Sequence, residues 1–214
     1  MNEESGAILT GDEIGKRLME GDLNRRLFVT PMLSKDQIGH ASVDVRLGNE
    51  FIAFRRTKYA MFDPLEKVDK LTSRIWDFQE RIYIPLGEEL VLHPQQLVLG
   101  CTLEYVSLPI DLAAEVVGRS SWGRLGLILS AATLVQPGYA GVITLELANQ
   151  GDVPLPLVPG IRIAQLVIKK VTCKKDTGVR VLKSRYLGSV EPTFSKIHED
   201  EDFEALRKLK EQRN

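Results

Sequence analysis

The sequence predicts a mainly β protein, a small and distorted jelly-roll-like barrel with a short helix before it and a peripheral helix after it. Beyond Gly21 the apolar residues recur with period two, and Gly, Pro and Asn residues interrupt them at short intervals. Many short strands separated by turns are typical of a β-barrel or β-sandwich. The chain has 214 residues, 43% of them hydrophobic, which is enough for one domain with a sizeable core.

Helix signals stand at both ends of the chain. Thr10 and Glu13 have the spacing of a capping box, Ile14 and Leu18 follow one helical turn apart, and Gly21 is a plausible end. The charged tail carries a thin apolar stripe, which favours a surface helix or partial disorder. We therefore expect a β domain over residues 1–198 and a separate charged tail over residues 199–214.

The segment Ser42–Leu47 shows the alternation most clearly, with three apolar residues on one face and Asp44 and Arg46 on the other. Further strands are predicted at 51–54, 89–92, 97–105, 113–117, 142–148 and 162–169. Residues 55–85 give no clear pattern. There we expect Trp76 and Phe78 to pack in a hairpin or a subunit contact.

Composition narrows the class of protein. The net charge of −1 provides no overall field for holding nucleic acid or an anionic membrane. The acidic N-terminus does not resemble a signal peptide, and no apolar run reaches membrane-spanning length, so we expect a cytoplasmic protein. Cys101 and Cys173 lie in apolar, strand-like contexts, which favours buried thiols over a disulfide in such a protein.

One short segment combines the residues suited to binding a polyphosphate. Arg119 and Arg124 offer planar forks of donors for phosphate oxygens, and Ser120 and Ser121 add hydroxyl groups between them. A solvated turn explains the same residues if they stand alone. Any anion site in this chain must be local, because the net charge is close to zero.

Glu146 stands inside the apolar strand pattern Val142–Leu147, shortly after this loop. A carboxylate in such a strand is either paired or takes part in chemistry, because burying an unpaired charge is costly. The alternative is a strand residue that simply faces solvent. The two features in one segment carry more weight than either alone.

The ordered motifs GRSSWGRLGL, PGYAGVITLEL and PLPLVPGIRIAQL resemble the dCTP deaminases, which belong to the trimeric dUTPase superfamily. The resemblance covers roughly residues 8–197 and includes the early segment Ser42–Phe51 and the late segment Ser184–Gly188. It implies a dUTPase-like β-barrel and a homotrimer whose active sites lie between subunits. The implied reaction is hydrolytic deamination of dCTP to dUTP and ammonia, which supplies dUTP for dTTP synthesis.

The resemblance also assigns roles to single residues. Glu146 would be the catalytic acid and base. Substrate would be bound by the phosphate loop (Arg119, Ser120, Ser121 and Arg124), by Gln136, by main-chain groups of Thr144 and Leu145, and by the closing residues Arg185 and Tyr186. Ser130 and Thr133 would be the hydroxyls near the attacking water. Mg²⁺ would accompany the triphosphate.

Zinc is not expected, since zinc-dependent nucleobase deaminases need an HxE motif and a CxxC pair. The two cysteines of this chain are far apart in sequence, and none of the histidines begins an HxE motif. If this protein is a deaminase, it works without a catalytic metal.

Gln136 departs from the family pattern, because an aspartate stands there in the relatives and orients the hydrolytic water in the triphosphatase branch. An amide cannot accept a proton, so the substitution favours a deaminase that stops at dUTP. The loop before Pro137 is also one residue short and lacks a histidine, and Ser189 replaces a glutamine. A bifunctional enzyme giving dUMP, a plain dUTPase and a nucleotide-binding regulator without turnover are the alternatives.

Overall fold

The computed structural model describes residues 7–129, 134–171 and 188–211 of the chain. The strands, in chain order, are β1 (Phe28–Thr30), β2 (Val43–Arg46), β3 (Glu50–Phe54), β4 (Gln79–Tyr83), β5 (Leu90–Leu92), β6 (Leu97–Ser107), β7 (Leu112–Gly118), β8 (Leu127–Leu129), β9 (Leu134–Val135), β10 (Ala140–Asn149), β11 (Leu155–Leu157) and β12 (Arg162–Lys170). The helices are α1 (Gly11–Leu18), α2 (Val68–Phe78), α3 (Ser120–Gly123) and α4 (Glu201–Glu211), with 3-10 turns at Lys35–Gln37 and Ile197–Glu199.

Two antiparallel sheets dominate the molecule. The larger has the order β4-β3-β6-β10-β8 with β1 also on β6, and the smaller has the order β2-β12-β7-β9. A two-stranded pair of β11 and β5 stands apart from them. The mainly β, jelly-roll-like prediction is confirmed. In the parts of the chain that the structure describes, however, the strands form separate sheets and not one closed barrel.

The core lies between the inward faces of these sheets, and alternation along the strands builds it. In β10, Leu145 and Leu147 are fully buried, whereas the alternate residues Thr144 and Glu146 are only half-buried. The strands predicted from period-two patterning are all present, although most differ by one or two residues at their ends.

Helix α1 begins with the predicted capping box. Glu13 N–H donates to Thr10 Oγ1, and the Glu13 carboxylate accepts from Thr10 N–H at 2.9 Å. The helix ends at Leu18, before the predicted stop at Gly21, because the Met19 N–H already closes the last turn onto the carbonyls of Gly15 and Lys16.

The segment between β3 and β4 contains helix α2, which the sequence reading missed. Trp76 lies on this helix and packs against Phe194 with ring centroids 4.4 Å apart, so the hairpin alternative was wrong at this position. The alternative of a subunit contact stays a prediction. Phe78 stacks on Phe54 of β3. The predicted tail helix is present as α4, and Lys210 pairs with Asp63 at 3.0 Å. None of the helices in the described ranges is long and apolar enough to cross a membrane.

Candidate active site

Glu146 lies on β10 opposite Leu99 of β6, and its side chain points away from the core. Partial burial raises the pKa of its carboxyl, and burial is the sole cause. Within residues 7–129, 134–171 and 188–211, no group donates a hydrogen bond to this carboxylate. It is therefore a partly desolvated acid without a structural partner in the described chain, which is the condition of a group available for proton transfer.

Thr144 lies on the same face of β10, one alternation before Glu146. Its hydroxyl is 3.5 Å from the hydroxyl of Thr193 and accepts from the Thr193 N–H at 3.4 Å. Leu145 points the opposite way and is fully buried, and its backbone pairs with Gly100. Of the two predicted base-binding residues, only Thr144 has a side chain on the face of Glu146.

The outer edge of β10 is covered by the chain after residue 187. Gly188 N–H donates to Ala140 O at 2.6 Å, and Val142 N–H donates to Ser189 O at 2.8 Å. Gly141 makes this approach possible, because a Cβ built on it would lie 2.9 Å from Ser189 O and its φ is +153°. This explains the second glycine of the motif PGYAG in physical terms.

The phosphate loop begins where β7 ends. Arg119 is the N-cap of the one-turn helix α3, and the side chains of Ser120, Ser121 and Arg124 are exposed. The indole N–H of Trp122 donates to Arg162 O at 3.2 Å and ties the loop to β12. Gly126 closes it with φ +95°, where a Cβ would lie 2.5 Å from the Gly151 backbone. The predicted loop residues are thus together on one exposed turn.

Asp44 holds the first arginine of this loop, and the sequence reading gave it no role. Its carboxylate accepts from Arg119 Nη1 at 3.4 Å, from Arg162 Nη1 at 3.2 Å and from Gln165 Nε2 at 2.9 Å. Arg162 also pairs with Asp36 at 2.7 Å. The sequence signal for this role was an aspartate between Val43 and Val45. Alternation alone predicts that Asp44 faces solvent, but the structure buries it.

Gln136 is exposed and follows β9, at the opposite end of β7 from the phosphate loop. Val135 pairs with Ala114, whereas Arg119 comes five residues later, about 17 Å of extended strand away. One chain therefore does not bring Gln136 to the loop. Arg185, Tyr186, Ser130 and Thr133 lie outside the described residues.

Metal-ligating groups and the two cysteines are the remaining candidates for chemistry. In the described ranges, no group of three or more His, Cys, Asp or Glu residues is arranged to hold a metal ion. Cys101 is a buried thiol, and burial raises its pKa to about 12, which makes it unreactive. Cys173 lies outside the described residues.

Known proteins resemble this chain over most of its length. The family model described as dCTP deaminase-like matches residues 8–171. A dCTP deaminase of Halorubrum lacusprofundi is 42% identical over 200 residues, which is 92% of this chain and 94% of that protein. A dUMP-forming dCTP deaminase of Methanobrevibacter smithii is 37% identical over 197 residues, 91% of this chain and 97% of that protein.

The fold has a solved counterpart in the crystal structure of 2′-deoxycytidine 5′-triphosphate deaminase from Agrobacterium tumefaciens. The TM-score is 0.58 with 24% sequence identity, over 78% of this chain and 47% of that chain, so this chain spans about half of it. Fold and site together define a mainly β protein with a half-buried carboxylate on β10 and an exposed turn that carries two arginines and two serines. On the family match and the relatives, the chain belongs to the dCTP deaminase family.

Proposed function

We propose that this protein hydrolyses dCTP to dUTP and ammonia, with Glu146 as the group that moves the protons. The observation that carries the proposal is the Glu146 carboxylate, which is partly buried on β10, has a raised pKa, and has no hydrogen-bond donor in the described chain. Relatives at 37–42% identity named dCTP deaminase support the substrate class.

The chemistry needs one carboxylate within reach of C4 and N3 of cytosine. Water adds to C4 as Glu146 accepts its proton, and Glu146 passes that proton to N3. The hydroxyl proton of the adduct then moves to the amino nitrogen, the C4–N4 bond breaks, and ammonia leaves as the C4 carbonyl forms. The net reaction consumes one water for each dCTP.

The phosphate loop would bind the triphosphate. Arg119 is oriented by Asp44, and Arg124, Ser120 and Ser121 present exposed donors beside it. Mg²⁺ would be bound by the triphosphate oxygens. Asp44, the carboxylate beside the loop, already accepts hydrogen bonds from three donors and is not free to bind the metal. Arg185 and Tyr186 are proposed to complete this end of the site.

Gln136 would bind the sugar from a neighbouring subunit. Its position at the far end of β7 from the loop supports a homotrimer in which two chains build each site. Thr144 and Leu145 would read the base edge through main-chain groups. The protein would act in deoxynucleotide metabolism in the cytoplasm, without nucleic acid or a membrane as partner.

The main alternative is that the protein forms dUMP. Some relatives named dUMP-forming dCTP deaminases are as similar to this chain as relatives named dCTP deaminases. One of Corynebacterium diphtheriae is 42% identical over 166 residues, 76% of this chain and 85% of that protein. The amide of Gln136 favours dUTP, since it cannot accept the proton of a water that attacks phosphorus.

Chromatography of a completed dCTP reaction tests both points. We expect dUTP and ammonia in equal amounts and no pyrophosphate, with CTP and dUTP as parallel substrates to define specificity. Stoichiometric dUMP and pyrophosphate would establish the bifunctional reaction instead. Tight nucleotide binding without ammonia release would leave the regulator as the better explanation.

A further inference from the structure

The ladder between β6 and β10 is interrupted immediately before the strand segment that carries Glu146. Ala140–Val142 pair with Ser107–Tyr105, but the pairing resumes at Thr144 opposite Cys101. Residues 102–104 of β6 therefore oppose the single residue Ile143 of β10. The extra residues form a bulge in β6. The first register, if continued, would place Glu146 opposite Cys101. Its actual partner is Leu99, about 7 Å further along β6.

The side chain of Thr102 fills the gap in this ladder. Its Oγ1 accepts from Ile143 N–H at 2.9 Å and donates to Glu104 O at 2.7 Å. Thr102 is 1% exposed, so water does not offer a substitute partner for the Ile143 N–H. The Thr102 hydroxyl thus replaces the missing main-chain acceptor for Ile143. It also links two residues of the bulge, Thr102 and Glu104, to each other.

The Glu104 carboxylate anchors the same bulge to the rest of the fold. It is fully buried and accepts from Gln37 Nε2 and Arg46 N–H, both at 2.8 Å, with Arg46 Nη1 3.6 Å away. Arg46 Nη1 also donates to Gln37 Oε1 at 2.7 Å. The bulge is therefore held by a paired charge from β2 and by a buried amide.

We propose that Thr102, on the bulge anchored by Glu104, is a positioning residue that sets the register of β10 and so places the Glu146 carboxylate against the reacting ring. This inference rests on the proposed deamination. Loss of the Thr102 hydroxyl leaves Ile143 N–H without its acceptor, and the strand relieves this by moving. A displacement of about 1 Å at the carboxylate can cost about 100-fold in rate.

The test compares Thr102→Val, which keeps the shape and removes the hydroxyl, with Thr102→Ser, which keeps the hydroxyl. In the full chain with dCTP as substrate, we expect kcat to fall about 10- to 100-fold in the valine variant while KM changes less than about 3-fold. The serine variant should retain most of kcat. Ile168→Val on β12 is the control for a small loss of core packing away from the site.

Hydrogen exchange of residues 140–149 adds a readout independent of turnover, and it should quicken in the valine variant and not in the serine variant. If the valine variant does not fold, Thr102→Cys replaces it and should show an intermediate kcat. Wild-type kcat in the valine variant, or in the cysteine variant that replaces it, would overturn the positioning role, and so would equal losses in the valine and serine variants. If the wild type releases no ammonia from dCTP, the proposed function fails and this inference fails with it.

Discussion

At the scale of single residues, the proposed chemistry depends on the Glu146 carboxylate. Glu146→Gln keeps the shape and the half-buried position but cannot accept or return a proton. We expect kcat to fall by at least about 10²–10⁴-fold with dCTP binding nearly unchanged, measured by ammonia release and by titration of dCTP. Retained turnover in this variant would remove Glu146 from the mechanism.

The raised pKa of Glu146 predicts the acid limb of the pH profile. Burial disfavours the carboxylate form, so the group takes up its proton above the ordinary value of 4.5. The ionised form is needed to accept the proton of water, and kcat/KM should therefore decline as pH falls, with an inflection above 4.5. A profile that stays flat down to 4.5 would contradict this assignment.

Asp44 should act on substrate affinity through Arg119. In Asp44→Asn the Arg119 guanidinium loses its charged partner, and we expect KM for dCTP to rise about 10-fold. This corresponds to the lower end of the free energy of a charge-assisted hydrogen bond. Binding of deoxycytidine, which has no phosphate, should not change. Asp36→Asn is the matched control, because Asp36 pairs with Arg162 but not with Arg119. Equal effects of the two variants would rule out a role through Arg119.

At the scale of elements, the docking of residues 188–193 on β10 depends on Gly141. Gly141→Ala places a Cβ 2.9 Å from Ser189 O, a contact with backbone that no side-chain movement relieves. We expect loss of more than about 1 kcal/mol of stability, since the native backbone there is unfavourable for alanine. Thermal unfolding and hydrogen exchange of residues 140–149 measure it.

Gly15→Ala serves as the control for Gly141→Ala. Gly15 lies inside α1, and its added Cβ meets nothing within 4 Å, so this change should be neutral or stabilising. Similar behaviour of the two variants would mean that the edge of β10 does not need the close approach of Ser189.

Elements and motifs differed in how well the sequence predicted them. Period-two alternation identified the strands, and the capping box located α1, because both signals are local. Helix α2 was missed although Val68, Leu71 and Ile75 have helical spacing, since Lys67 provides no side-chain cap at its start. The Asp44 contacts were not predictable, because they join β2 to β12 and depend on strand pairing that no local pattern specifies.

At the scale of the whole molecule, exposed apolar side chains flank the phosphate loop on the surface. Val117, Leu125 and Ile128 are 39–53% exposed on the segments next to it. Exposed apolar side chains grouped on one surface are typical of a protein–protein interface. The proposed homotrimer would cover this surface, and we expect light scattering to give three times the 24.0 kDa mass of the chain.

Mixing two impaired variants tests whether the sites lie between subunits. In trimers that combine Arg119→Ala and Glu146→Gln chains, about a quarter of intersubunit sites would receive both native residues in a cyclic assembly. At a low dCTP concentration, co-expressed chains should then release ammonia faster than either variant alone. No recovery in verified mixed trimers would place Arg119 and Glu146 of each site in one chain.

The pairing of Gly188 and Ser189 with β10 has a consequence for synthesis on the ribosome. A growing chain folds from its N-terminus, so β10 forms its ladder with β6 before the residues that cover its other edge have been made. Until they emerge, the N–H of Val142 and the carbonyl of Ala140 are open to any neighbouring strand. Nascent chains stalled before residue 188 should therefore be the most prone to aggregate. On polysomes, where nascent chains are close together, slow translation between β10 and residue 188 should increase that aggregation.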